Sequence, residues 1–464
     1  MSNWTPRLDP GDAPLYVAIA NQIAAAIEDG ALAGGARLPT HRDLARRLGI
    51  SIHTVSQAYA EAERRDLVIG ETGRGTFVRA RLGEREASFI MDRRRDDVID
   101  LSTNRPVYEE LHADRVRATL GEIAQARDVS PMLVCRPIAG MDRHRAAGAA
   151  WLRRRRIEVG PERVLITNGA MHGLQVALST LTRPGDLVLT EALTDHGTIG
   201  LTQMLHFRLQ GLALDAEGIL PDAFATACAS GEAKVLCTTP CLANPTVALM
   251  SAARRREIAA IARRYEVAVV ENDVYGMLPA DGPPPLWTFL PEQTYYVTSL
   301  TKCLVSGLRT GYLVAPARAT PTLVRRIRVS SWMATPLVAE IASRWIAEGI
   351  ADELVGWQRS ELALRHRIAD RLLAGLDYHH HPHSLHLWLT LPARWRGEAF
   401  VSEARLRDNV AITPAEPFVV GGDGAPHSVR LSLSAAATRS QMERGLRTLA
   451  DILHLEAEPF YMPT

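Results

Sequence analysis

The sequence predicts a small α+β unit at its amino-terminal end, followed by a large α/β domain. Three observations carry this. Residues 14–80 compress helices, a glycine turn and a glycine-tipped hairpin into one short stretch. From Val98 onward, apolar strand-sized runs alternate with helical stretches. A chain of 464 residues also exceeds one ordinary core, so two or three domains are expected.

In the first stretch, Pro14-Leu15-Tyr16 opens an amphipathic helix with Ile19, Ile23 and Ile27 at helical spacing, ending near Gly30. Thr40 is a good N-cap for a second helix, which runs through Leu48. Gly49-Ile50-Ser51 makes a tight turn into a third helix, from about Ile52 to Arg65, with Val55, Tyr59 and Ala62 facing inward. Helix, three-residue turn, helix is a helix-turn-helix pattern. Leu67–Ile69, a Gly70–Gly75 tip and Thr76–Val78 then read as a hairpin wing. The polar face of the third helix offers Ser51, His53, Thr54 and Gln57, short donors and acceptors suited to base edges and phosphates. Arg37, Arg42 and Arg74 flank it as candidate phosphate contacts. Double-stranded DNA is the expected partner.

The remaining composition sets limits. A hydrophobic fraction of 47% with 23% charged residues describes a globular protein. No apolar run is long enough for a bilayer, and the opening MSNWTPRLDPGD lacks a signal-peptide core, so the expected location is cytoplasmic. Five cysteines are odd in number and lack metal spacing; Cys237 and Cys241 are not followed by a second pair, and reduced thiols are expected. A net charge of +1 neither announces nor excludes nucleic acid. Residues 1–80 are taken as the DNA-binding unit, 81–98 as a charged linker and 99–464 as the second domain. The runs Arg93–Arg95, Arg153–Arg156 and Arg254–Arg256 are expected to be solvated helix faces. The histidine tract His379, His380, His381, His383 and His386 runs into an alternating apolar stretch, and reads as a strand edge rather than a metal site.

In the large domain, strands are expected at Val164–Thr167, Leu187–Thr190, Val235–Thr239, Val267–Val270, Tyr295–Thr298 and Gly311–Val314, in a sheet buried on both faces. Polar motifs fall at the strand ends, where such sheets bind ligands. The most telling one contains Lys302. Only two lysines occur, Lys234 and Lys302, among 53 Lys plus Arg. A lysine that survives so strong a preference for arginine is a candidate for amine chemistry, because arginine cannot act as an amine nucleophile. Ser299, Thr301 and Arg309 around it suit a phosphate. Gly169-Ala170-Met171 begins a helix whose N–H groups can hold the same phosphate. Asn244 offers an amide to a ring hydroxyl, Asp273 a carboxylate to a pyridine nitrogen, and Tyr275 a hydroxyl to the ring oxygen. Together these point to pyridoxal 5'-phosphate joined to Lys302 as a Schiff base.

The text "GARLPTHRDLARRLGISIHTVSQAYAEAERRDLVIGETGRGTFV" resembles the winged helix of GntR-type regulators, over residues 14–79. Residues 98–450 resemble a fold-type I aminotransferase, an α/β fold with large and small subdomains. The whole chain is similar to the MocR subgroup of GntR regulators. That resemblance implies a head-to-tail homodimer reading paired half-sites in its operator. It also implies a sensor that captures a small amino compound as an external aldimine on the cofactor. Arg430 in "HSVRLSLSA" then matches the arginine that holds a carboxylate, and Asn104 in "IDLSTNRPV" matches the segment closing on the amino side. Three positions depart from the enzyme pattern: Cys135 replaces a tyrosine, Asp195 (beside His196) an aromatic, and Val247 a glycine. Asp195 and His196 are therefore candidate effector contacts. A working aminotransferase that carries a DNA-binding domain is the alternative, and free pyridoxal phosphate as the ligand itself is a third reading.

Overall fold

The computed structural model describes residues 4–6, 14–28, 32, 36–65, 67–71, 75–78, 98–421 and 424–454. Wing-tip residues 72–74, Arg74 among them, the run Arg93–Arg95 and linker residues 81–97 lie outside them. The chain divides into two compact units, Met1–Asp96 and Asp97–Thr464.

The first unit holds three helices, α1 (Leu15–Glu28), α2 (His41–Leu48) and α3 (Ile52–Arg64), and a hairpin, β1 (Val68–Glu71) with β2 (Gly75–Val78). Ile19, Ile23 and Ile27 of α1 share one core with Val55, Tyr59 and Ala62 of α3. The Thr40 hydroxyl accepts from Asp43 N (3.2 Å), starting α2, and Gly49 ends it at φ 66°, where a side chain would be strained. Ser51 Oγ likewise accepts from Thr54 N (3.0 Å) and starts α3. Leu38 N donates to Thr76 O, Val78 N donates to Ala36 O, and Arg37 pairs with Phe77. The segment before α2 thereby becomes a third short strand of the wing.

The second unit is built on a seven-stranded sheet: β3 (Val164–Thr167), β4 (Leu187–Glu191), β5 (Arg208–Leu212), β6 (Ala233–Thr238), β7 (Ala268–Asn272), β8 (Thr294–Ser299) and β9 (Gly311–Val314), in the order β3-β9-β8-β7-β6-β4-β5. Every pairing is parallel except those of β9, which runs against both β8 and β3. Strands β3, β4, β6, β7 and β8 therefore share one direction, and their carboxyl ends lie along one edge. A smaller antiparallel sheet follows, from β10 (Tyr378–His379), β11 (Leu387–Thr390), β12 (Thr413–Pro414) and β13 (Ser428–Leu431). It has its own core around Leu387, Leu389, Phe400, Val429 and Leu446. The 23-residue helix Ile350–Leu372 serves both cores, with Leu354 and Leu362 in the larger and Ala369 in the smaller.

Two expectations are corrected here. The runs Arg153–Arg156 and Arg254–Arg256 are not simply solvated, because Arg155 and Arg255 are buried. Trp151 and Leu152, both buried, precede Arg155 by four and three residues; Ile258 and Ala259, also buried, follow Arg255 by three and four. One buried helix face therefore passes through Arg255, whereas Arg155 lies just past its helix, Asp142–Arg153, in a turn where its N–H donates to Leu152 O (2.8 Å).

Candidate functional site

The sheet edge collects most of the residues singled out above. Gly169 follows β3, Asp195 follows β4, Asn244 follows β6, Asp273 follows β7, and Ser299 and Lys302 close β8. Gly169 opens the helix Gly169–Leu181, which also contains Ala170 and Met171. Arg309 lies against it: a Cβ on Gly169 would come within 3.2 Å of Arg309 Nη2, so a larger residue would press the guanidinium away from this helix start. The Ser299 and Thr301 hydroxyls bond each other at 2.7 Å. Guanidinium, helix start and paired hydroxyls form a donor-rich setting for a phosphate.

Lys302 is half-buried, and its ammonium donates to Asn104 O at 2.5 Å. Burial pushes it down to about 8, with Arg430 and Arg309 adding to the fall and Asp195 opposing it. A lysine so placed keeps a neutral fraction near neutral pH. Asn104 Nδ2 donates to Tyr275 OH (2.9 Å) and lies 3.3 Å from His386 Nδ1. Burial raises the Tyr275 phenol, which stays neutral. His386, one of the tract histidines, is fully buried here rather than on a strand edge; burial holds its imidazole well below the usual value.

Asp273 is buried, and its Oδ2 accepts from Arg155 Nε (2.9 Å) and from Tyr296 OH (2.6 Å). Its Oδ1 is buried without a hydrogen-bond partner. A buried carboxylate oxygen left open in this way requires a donor, and a protonated pyridine nitrogen is one. The residues therefore fit pyridoxal phosphate.

Arg430, Asn244 and Asp195 form a chain. Arg430 Nη1 donates to Asn244 Oδ1 (2.7 Å), and Asn244 Nδ2 donates to Asp195 Oδ2 (2.6 Å). Arg430 also donates to Ser102 O and stacks over Phe418, 5.0 Å from the ring centre. Asp195 caps the helix His196–Leu205 by accepting from Gly197 N at 2.9 Å. Burial works to raise its carboxyl; His196, Lys302 and the bonds from Asn244 and Gly197 overcome that and hold it below the usual range. His196 Nδ1 lies 4.0 Å from Asp195 Oδ2. Val247 adopts φ 62°, a region glycine enters without strain and a β-branched residue rarely occupies.

In the first unit, His53, Gln57, Arg37 and Arg42 are exposed. The Ser51 and Thr54 hydroxyls bond each other (2.8 Å), so both are partly engaged by the start of α3. Arg37 packs over Gly75, whose added Cβ would meet Arg37 Nε at 2.8 Å.

A winged helix-turn-helix and an α/β unit with a buried-lysine site define a DNA-binding regulator joined to an aminotransferase-like domain. Residues 96–449 match the family described as Aminotransferase class I and II, to which the chain belongs, and residues 15–78 match Bacterial regulatory proteins, gntR family. This pairing is that of the MocR-type GntR regulators, and its cofactor is pyridoxal phosphate. The chain is 26% identical to the HTH-type transcriptional regulator YdeF of Bacillus subtilis, over 97% of each. It is 25% identical to the regulator YdcR of Escherichia coli, over 88% of this chain and 92% of YdcR. Its fold resembles that of Pyrococcus horikoshii kynurenine aminotransferase, with TM-score 0.74 and 21% identity over 82% of this chain and 96% of that one. Among the described residues no helix is long and apolar enough to cross a membrane.

Sequence reasoning missed Arg155, Tyr296 and His386 as parts of this site. Arg155 lies in the turn after the helix Asp142–Arg153, where helical periodicity no longer applies. Tyr296 sits inside the uniformly buried strand β8, and nothing local marks it.

Proposed function

We propose that this protein is a cytoplasmic transcription regulator whose aminotransferase-like unit binds pyridoxal phosphate and responds to a small amino compound. Lys302 would hold the cofactor covalently. Gly169, Ala170 and Met171, with Ser299, Thr301 and Arg309, would bind its phosphate. Asn244 and Tyr275 would meet the ring oxygen, and Asp273 the ring nitrogen. The cofactor supplies an aldehyde that captures amines. Ser51, His53, Thr54 and Gln57 would face base edges, with Arg37, Arg42 and Arg74 on phosphates. A linker at 81–98 would join this DNA-binding unit, 1–80, to the effector unit.

The observation that carries the sensing reading is the Arg430–Asn244–Asp195 chain. It places a cation and an anion at opposite ends of one amide. That charge pattern complements a zwitterion, with Arg430 on its anionic group and Asp195, His196 and Asn104 on the amine side. By linkage, the effector shifts DNA affinity only as far as it prefers one state of the protein.

Exposed apolar side chains support a homodimer. Leu133, Val134, Val329 and Trp332 are all exposed, and the Trp332 indole donates to Cys135 O at 3.0 Å, bringing the two segments together. Two winged helices would then read paired half-sites.

The absorbance spectrum tests the reading. The cofactor-loaded protein is expected to show a visible band that Lys302→Ala abolishes. One amino compound should change the spectrum lastingly and change operator binding with it. Repeated turnover with a keto acid would instead favour a working aminotransferase. That second reading draws support from 26% identity, over 62% of this chain, to the bovine mitochondrial kynurenine/alpha-aminoadipate aminotransferase.

A further inference from the structure

Behind Asp273 lies a cavity of about 290 Å³, lined by four arginines, Arg154, Arg155, Arg156 and Arg359, together with Gly282 and Asp352. The charges there do not cancel. Arg154 is matched by Asp352, to which it donates from Nε (2.6 Å) and Nη2. Arg155 spends Nε on Asp273 and donates Nη2 to Pro283 O (3.2 Å). Its Nη1 has no partner among the described residues, and Gly282 leaves the space beside it open: a Cβ there would approach Nη1 to 3.0 Å. Arg156 is exposed and its side chain has no partner among the described residues. Arg359 is half-buried and donates only to neutral carbonyls, Leu278 O (3.0 Å) and Met277 O (2.7 Å). Burial lowers its guanidinium, opposed by Cys303, Asp281 and Asp352.

We propose that this cavity is a second ligand site, for a small oxyanion such as inorganic phosphate or a dicarboxylate, coupled to the cofactor site through Arg155. Two guanidiniums without a carboxylate, plus the open Nη1 of a third, supply the forked donors that phosphate and carboxylate accept. The volume admits a metabolite-sized anion and little more. Arg155 is the shared element. An anion on Nη1 draws the guanidinium's charge away from Asp273, leaving that carboxylate a stronger acceptor for the ring nitrogen. Anion binding therefore tightens the cofactor, and the cofactor tightens the anion by the same factor. The site itself stands on the cavity alone; the coupling rests on the cofactor reading above.

The test is calorimetric titration of cofactor-saturated full-length protein with inorganic phosphate, replacing chloride at constant ionic strength. One saturable site per chain is expected. Affinity should fall about tenfold or more in Arg156→Glu, which reverses an exposed charge, and in Gly282→Leu, which fills the space. No saturable binding, or binding unchanged in both variants, overturns the site. Unchanged binding also assigns the phosphate to the DNA-binding unit or elsewhere. Cofactor retention on dilution reads the coupling: phosphate should slow the loss. Equal loss with phosphate bound overturns the coupling, while an absent visible band in the loaded protein would fail the cofactor reading instead.

Discussion

In the first unit, Arg42, Arg46 and Arg64 stand in solvent, and two of them are tied to neighbours one helical turn away: Arg46 to Asp43 and Arg64 to Glu61. In the second unit, Arg155, Arg255, Arg365 and Arg430 are buried, and apart from Glu361, one helical turn before Arg365, their partners lie far along the chain or on backbone carbonyls. Arg365 joins Glu361 to Leu433 O and Ala436 O. Arg255 joins Met250 O, Pro240 O and Pro284 O. The planar five-donor fork suits both settings, but the energetics differ. On the surface it competes with water and gains little. Inside, it satisfies buried carbonyls, and its loss leaves several of them without a donor.

The sharpest way to break this comparison lies within one run. Arg255→Ala should cost about 3–5 kcal/mol of folding stability, because Glu271, 3.8 Å away and fully buried, would lose its nearest cation. Arg256, exposed on the next position, should cost less than about 0.5 kcal/mol as Arg256→Ala. Chemical denaturation measures both. Equal costs would mean that burial is not what separates the two classes of arginine.

Glu340 lies between the extremes. Its carboxylate accepts from His144 Nε2 (2.9 Å), from the half-exposed Arg143 (2.7 Å) and from Arg344 (3.0 Å). Burial raises it, but these bonds overcome burial and bring it down to about 2. The depressed value means that its contribution is complete above pH about 4.5 and is lost as pH falls through about 2. After screening, that contribution is about 2 kcal/mol. Denaturation midpoints between pH 5 and 2 should fall less steeply in Glu340→Gln than in the parent. An identical slope would show that the three donors do not hold this carboxylate in the charged form.

How much of this was legible depends on where the signal lies. Gly169, Asn244, Asp273 and Lys302 each follow an apolar strand, and strands that share a direction bring their carboxyl ends together; local grammar was enough. Arg155 and Tyr296 meet Asp273 from 118 and 23 residues away. No local pattern states such a pairing, and the run holding Arg155 reads in the sequence as a solvated face. The linking of Asn244 to both Asp195 and Arg430 is likewise a property of two strand ends of the large sheet and a strand of the smaller one, and not of any one segment. In the first unit the helix cap at Thr40 was legible, because cap and helix are adjacent in sequence; Ser51, read as a turn residue and DNA contact, also caps α3. The added wing strand at Ala36–Leu38 was not, since its partners, Thr76 to Val78, lie some forty residues on.

The smallest effects belong to the surface arginines. Arg42 makes no ion pair among the described residues, and Arg46 is paired with Asp43. If Arg42 meets a DNA phosphate, Arg42→Ala should lower the salt dependence of operator binding by about one counterion and leave folding unaltered. The Arg46 side chain is 79% exposed. Arg46→Ala should therefore change folding stability by less than about 0.5 kcal/mol, since an i,i+3 pair in water gains little beyond the cost of ordering two side chains. A loss near that of Arg255→Ala would show that the Asp43 cluster braces α2, and that exposure alone does not sort the arginines of this protein.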